Sequence, residues 1–71
     1  MAPIPRPVPE PDDPVDRYVG MDAETAAEVA RERGWSTVRA VPPGALLTME
    51  YLSGRLNLEV ADGVVRRSWK G

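Results

Sequence analysis

The residues of this chain best suited to chemistry are suited to recognition rather than to reaction. Leu46, Leu47, Met49, Tyr51 and Leu52 fall within about a dozen positions that carry no helix or strand pattern, interleaved with Thr48 and Glu50. Loops of that length are uncommon in compact domains and are usually functional. Ordinary loops are polar, and large apolar side chains in one suggest a surface that a partner covers. Reactive equipment is scarce by comparison. The 71 residues include no cysteine and no histidine, which excludes Cys/His metal sites, thiol nucleophiles and a Ser-His-Asp triad. Glu24 and Glu28 stand one helical turn apart and read as a solvated face, not as an acid–base pair. With no convergent acid and base on offer, an enzyme is the least favoured class. No metal and no cofactor is implied.

The elements that must position this loop are legible from pattern. Asp22 is suited to cap a helix, because its carboxylate can accept the free N–H groups of the first turn. Glu24 adds negative charge at the positive end of the helix dipole. Ala23, Ala26, Ala27 and Ala30 recur at helical spacing beside Val29 and form a narrow apolar face. Gly34 suits the position after the helix, where the backbone turns left-handed. The helix is expected over Ala23–Arg33. Ser36–Val41 reads as a short strand ended by Pro42-Pro43-Gly44. In Arg55–Ala61, Leu56, Leu58 and Val60 alternate with Arg55, Asn57 and Glu59, as in a strand with two unlike faces. Asp62-Gly63 is a two-residue hairpin signal, and Val64–Trp69 is the returning strand. Trp35 and Trp69 read as packing residues. Arg66 and Arg67 read as a charged strand edge.

Composition bounds the rest. One domain this small buries only about 60% of its unfolded surface, and no disulfide can staple it. Nine basic and eleven acidic side chains are intermixed, for a net charge of −2. That balance lacks the basic stripe of a nucleic-acid binder. No apolar run approaches the ~20 residues of a membrane span, and the N-terminus lacks the apolar core of a signal peptide. The chain is thus expected to be cytoplasmic or a mature secreted form. Pro3, Pro5, Pro7, Pro9, Pro11 and Pro14 favour extended backbone without ladder hydrogen bonds. Residues 1–14 are expected to be a proline-rich disordered tail and 15–71 the folded domain.

Several stretches in order resemble the potato inhibitor I family, the serine protease inhibitors of the chymotrypsin inhibitor 2 and eglin c type and related small bacterial inhibitors. These are Tyr18-Val19-Gly20 followed by Asp22-Ala23-Glu24-Thr25-Ala26, then Val41-Pro42-Pro43-Gly44, Leu47-Thr48-Met49-Glu50-Tyr51, Arg55-Leu56-Asn57-Leu58-Glu59-Val60 and a final Gly71. The resemblance implies an α+β fold in which a single helix packs on a small mixed β-sheet, with a long protruding reactive-site loop at residues 44–54. It implies parallel strands on either side of the loop, and an alanine face docked on Leu56, Leu58, Val60 and Val64. It further implies a serine protease inhibitor whose scissile bond joins Met49 (P1) to Glu50 (P1′). Leu46, Leu47, Thr48, Tyr51 and Leu52 would complete the protease-binding loop, and Arg55, Asn57 and Gly71 would support it. Asn57 stands where well-known members carry a second arginine, and it can still donate hydrogen bonds.

An unbranched apolar Met49 suits a hydrophobic S1 pocket and cannot pair with the aspartate of a trypsin-like one. Subtilisin-like enzymes are the expected targets, with chymotrypsin-like enzymes second. The protein is expected to be a monomer with neither nucleic acid nor membrane as partner. The rival reading is a non-inhibitory protein-binding module that reuses the same fold.

Overall fold

The computed structural model describes residues 10–45 and 51–71. After a short 3-10 turn at Val15–Tyr18 come one helix, α1 (Ala23–Glu32), and three strands, β1 (Thr37–Val41), β2 (Arg55–Ala61) and β3 (Val64–Lys70). The fold is α+β, with one helix on a small three-stranded mixed sheet.

Local chemistry explains where α1 starts and stops. The Asp22 side chain accepts from the N–H groups of Glu24 at 3.1 Å and Thr25 at 3.3 Å, satisfying two of the donors a helix start leaves free. Arg33 caps the other end, and Gly34 takes φ +104°, a conformation that costs a residue with a side chain. The helix thus ends one residue before the expected Arg33.

In the sheet, β1 runs parallel to β2 and β3 antiparallel to it, in the order β1-β2-β3. Parallel neighbours require a long crossover, which here is residues 42–54. The β2–β3 connection is tight. Asp62 and Gly63 both have positive φ, 53° and 75°, as the favoured two-residue hairpin turn demands.

The core is Tyr18, Ala26, Ala30, Trp35, Leu56, Leu58 and Val65. Within the alanine stripe, Ala26 and Ala30 are fully buried while Ala23 and Ala27 lie at its half-buried margin. The pairing register shifts between Glu59 and Val60, so that Glu59 faces Arg67 while Val60 faces Val65. The Asp62-Gly63 turn sets Val60 opposite Val65, so Val65 rather than the expected Val64 shares the core face of Leu56, Leu58 and Val60. The extra residue on β3, Arg66, resets the pairing beyond it so that Arg67 faces Glu59. Residues 20–23 cover the first half of the β3 edge: Gly20 N–H donates to Val65 O at 2.8 Å, Val65 N–H to Met21 O at 2.9 Å and Ala23 N–H to Gly63 O at 2.9 Å.

Candidate functional site

Alternation along β2 sends Leu56, Leu58 and Val60 toward α1 and sends Arg55, Asn57 and Glu59 to the opposite face. The register lays Arg39, Asn57 and Trp69 side by side across that face, with Glu59 opposite Arg67 in the next row. This face and the described ends of the crossover form the candidate site.

The crossover leaves β1 through a turn. Ala45 N–H donates to Pro42 O at 3.3 Å, and Gly44 has φ +74°. Pro43 and Gly44 are the central residues that a type II turn favours. Beside this turn, Val41, Pro42, Gly44, Ala45, Glu59, Arg67 and Trp69 line an open pocket of about 330 Å³. The Arg67 guanidinium stands 5.4 Å from the Trp69 ring centre and 3.8 Å from the Glu59 carboxylate. Arg67, an expected solvated edge residue, is exposed and still makes both contacts.

At its other end the crossover is tied to the last residue of the chain described. Leu52 N–H donates to Gly71 O at 3.2 Å, Gly71 N–H to Arg55 O at 3.0 Å and Arg55 N–H to Leu52 O at 3.1 Å. The Arg55 guanidinium adds two donors to the same Gly71 oxygen, Nε at 3.0 Å and Nη2. An arginine fork fixes an acceptor in direction as well as distance. Tyr51 and Leu52 nevertheless stay open to solvent, 62% and 47% exposed. The Tyr51 hydroxyl donates to the Glu10 carboxylate, whose other oxygen lies 4.0 Å from Lys70 Nζ.

Asn57 is fully buried, and it is satisfied within the sheet. Its Oδ1 accepts from Arg39 Nε at 2.9 Å and its Nδ2 donates to the Trp69 carbonyl at 3.3 Å. Among the described residues its bonds therefore run sideways, to β1 and β3. Arg39 was not singled out by sequence reasoning. The signal that reveals it is the parallel register, which sets Arg39 opposite Asn57.

Sequence reasoning also gave Asp13 no role. Its carboxylate is 5% exposed. It accepts from the Tyr18 hydroxyl and from Trp35 Nε1 at 3.0 Å, with Arg17 Nη1 at 3.4 Å. Burial alone would raise its pKa. The hydrogen bonds from Tyr18 and Trp35 and the charges of Arg17 and Arg33 outweigh burial and leave it below the ordinary value. Tyr18 is pushed up to about 12 by burial and by its bond to the Asp13 carboxylate.

The expected binding residues Leu46, Leu47, Thr48, Met49 and Glu50 lie outside the described residues. Of the others, the structure brings Tyr51, Leu52, Arg55 and Gly71 into one cluster, with Asn57 in the adjoining row. Among the described residues, no group of three potential metal ligands converges, and no helix is long and apolar enough to cross a membrane.

No curated protein and no solved structure matches the chain. The family model described as the peptidase inhibitor I78 family matches residues 13–67. That family is distinct from potato inhibitor I, so the resemblance read from the sequence is corrected. The quoted stretches encode a helix cap, a Pro-Gly turn and an alternating strand. Those features report local backbone geometry, which a different family with the same order of elements also needs.

Proposed function

We propose, from the premise that the chain belongs to the peptidase inhibitor I78 family, that its target is a serine protease and that it binds as a substrate does. Family membership makes it a peptidase inhibitor with a protease as partner, not an enzyme. The finer reading places the scissile bond at Met49-Glu50, with Leu46, Leu47 and Thr48 in the subsites before it and Tyr51 and Leu52 after it.

The observation that carries this reading is the anchoring of an exposed pair. Tyr51 and Leu52 are open to solvent, yet the main chain at Leu52 is bonded to both Gly71 and Arg55. A protease binds extended peptide through main-chain pairing with side chains in pockets. A segment held at its ends has already lost much of the freedom that a flexible peptide loses on binding, which raises affinity. It also keeps a cleaved end near its partner, so that religation competes with release. Arg55 and Gly71 are the principal struts, and Asn57 acts through the neighbouring row.

Large apolar residues before the scissile bond favour a subtilisin-like enzyme over a chymotrypsin-like one. Titration of subtilisin with the protein tests this. Loss of peptide hydrolysis near a one-to-one ratio is expected, and full hydrolysis in the presence of excess protein rejects the subtilisin-like target.

A further inference from the structure

Glu10 sits at the point where three separated parts of the chain meet. Its carboxylate accepts from the Tyr51 hydroxyl on one side and faces Lys70 at 4.0 Å on the other. Pro9 and Pro11 flank it in sequence. A residue before proline is restricted to extended backbone, so Glu10 has few conformations to lose.

Three residues further on, Asp13 is anchored deeply by Tyr18 and Trp35. Between the two, Pro11 Cβ lies 3.6 Å from where a β-carbon on Gly34 would stand. Residues 10–14 thus form a strap from the core-facing Trp35 to the end of the crossover. The strap closes where Leu52 N–H meets Gly71 O and the Tyr51 ring covers Gly71.

We propose that Glu10 is a positioning residue for inhibition. By holding the Tyr51 hydroxyl, it fixes the point at which the crossover re-enters the sheet, and the N-terminal strap thereby braces the inhibitory segment of a protein without disulfides. This rests on the reading that residues 46–52 contact the protease. The strap acts through Tyr51 and touches no reacting atom.

The test uses the full chain and four variants: Glu10→Ala, Glu10→Gln, Tyr51→Phe and the double Glu10→Ala/Tyr51→Phe. The first readout is native-state amide exchange at Leu52, with the Val65 amide as a control on the far edge of the sheet. Local opening sets such rates. Loss of one hydrogen bond should speed Leu52 exchange about three- to tenfold in Glu10→Ala and in Tyr51→Phe. The double variant should exceed neither single one, because both remove the same bond. Glu10→Gln keeps an acceptor and should stay within about twofold of the parent, since an exposed ion pair with Lys70 adds little.

The second readout is the rate at which subtilisin cuts the 49–50 bond. It should rise in the same variants and be rescued in Glu10→Gln. Unchanged exchange at Leu52, additive effects or an equal rise at Val65 overturns the strap. Coupled exchange in a protein that leaves serine proteases fully active upholds the strap and overturns the proposed target instead.

Discussion

The ring of Tyr51 lies against Gly71 so closely that a β-carbon on Gly71 would stand 2.4 Å from its Cδ2 and 2.6 Å from its Cε2. Gly71 also has φ +104°, so a side chain there meets both a steric and a backbone penalty. Gly71→Ala should displace the ring, weaken the Leu52 bond and destabilise the fold by about 1–3 kcal/mol. Urea unfolding measures the stability, and peptide-hydrolysis assays measure the accompanying loss of inhibition. Parental behaviour in both would show that the Tyr51–Gly71 contact does not matter.

Asn57 is the polar residue fully buried in the centre of the sheet. Asn57→Leu fills the space and leaves Arg39 Nε and the Trp69 carbonyl without this partner. The expected cost is about 1–3 kcal/mol, the usual range for a stranded buried polar group. Arg39→Met should cost less, because it removes one donor and keeps an apolar stem over the sheet. Reversal of that order in denaturant midpoints would mean that Arg39, not Asn57, is the centre of the network.

The pH dependence of stability should carry two limbs from one buried pair. Asp13 sits below its ordinary value of 3.8 in the fold. Its contribution is complete above that pH and is lost as pH falls through the lower folded value, because the unfolded chain takes up the proton first. Tyr18 rises from 10.0 to about 12. Its contribution is complete below pH 10 and is lost between pH 10 and about 12, where the unfolded tyrosine ionises before the folded one. Thermal midpoints taken across pH should fall at both ends. Tyr18→Phe should remove the alkaline limb. An alkaline limb that persists in that variant would have to come from other groups.

Met49→Lys should turn selectivity from enzymes with apolar S1 pockets toward trypsin-like ones, since a lysine can pair with the aspartate at the base of that pocket. Inhibition constants against subtilisin, chymotrypsin and trypsin check it. The same ranking in parent and variant would remove Met49 from the P1 position.

Much of the fold was legible in the sequence because its signals are local. Asp22 caps, alanines at helical spacing pack, Asp62-Gly63 turns, and Leu56, Leu58 and Val60 alternate, all within a few residues of one another. The bulge opposite Glu59 was not legible. It depends on how two strands fit side by side, and it sets Arg67, not Arg66, opposite Glu59. The cluster of Tyr51, Arg55 and Gly71 was partly legible as a set of loop and strut residues. Arg39 and Asp13 were not, because each draws its meaning from a distant partner: Asn57 for the one, Trp35 for the other.

By itself the sequence determined the kinds of element, their order and an apolar crossover between two strands, because propensity, capping and periodicity act over a single turn or a few strand residues. Only the tertiary structure decided which remote groups meet, such as Glu10 with Tyr51 and Arg39 with Asn57. Those meetings follow from strand register and from the path of the chain over the sheet, and neither is fixed until the whole core has closed.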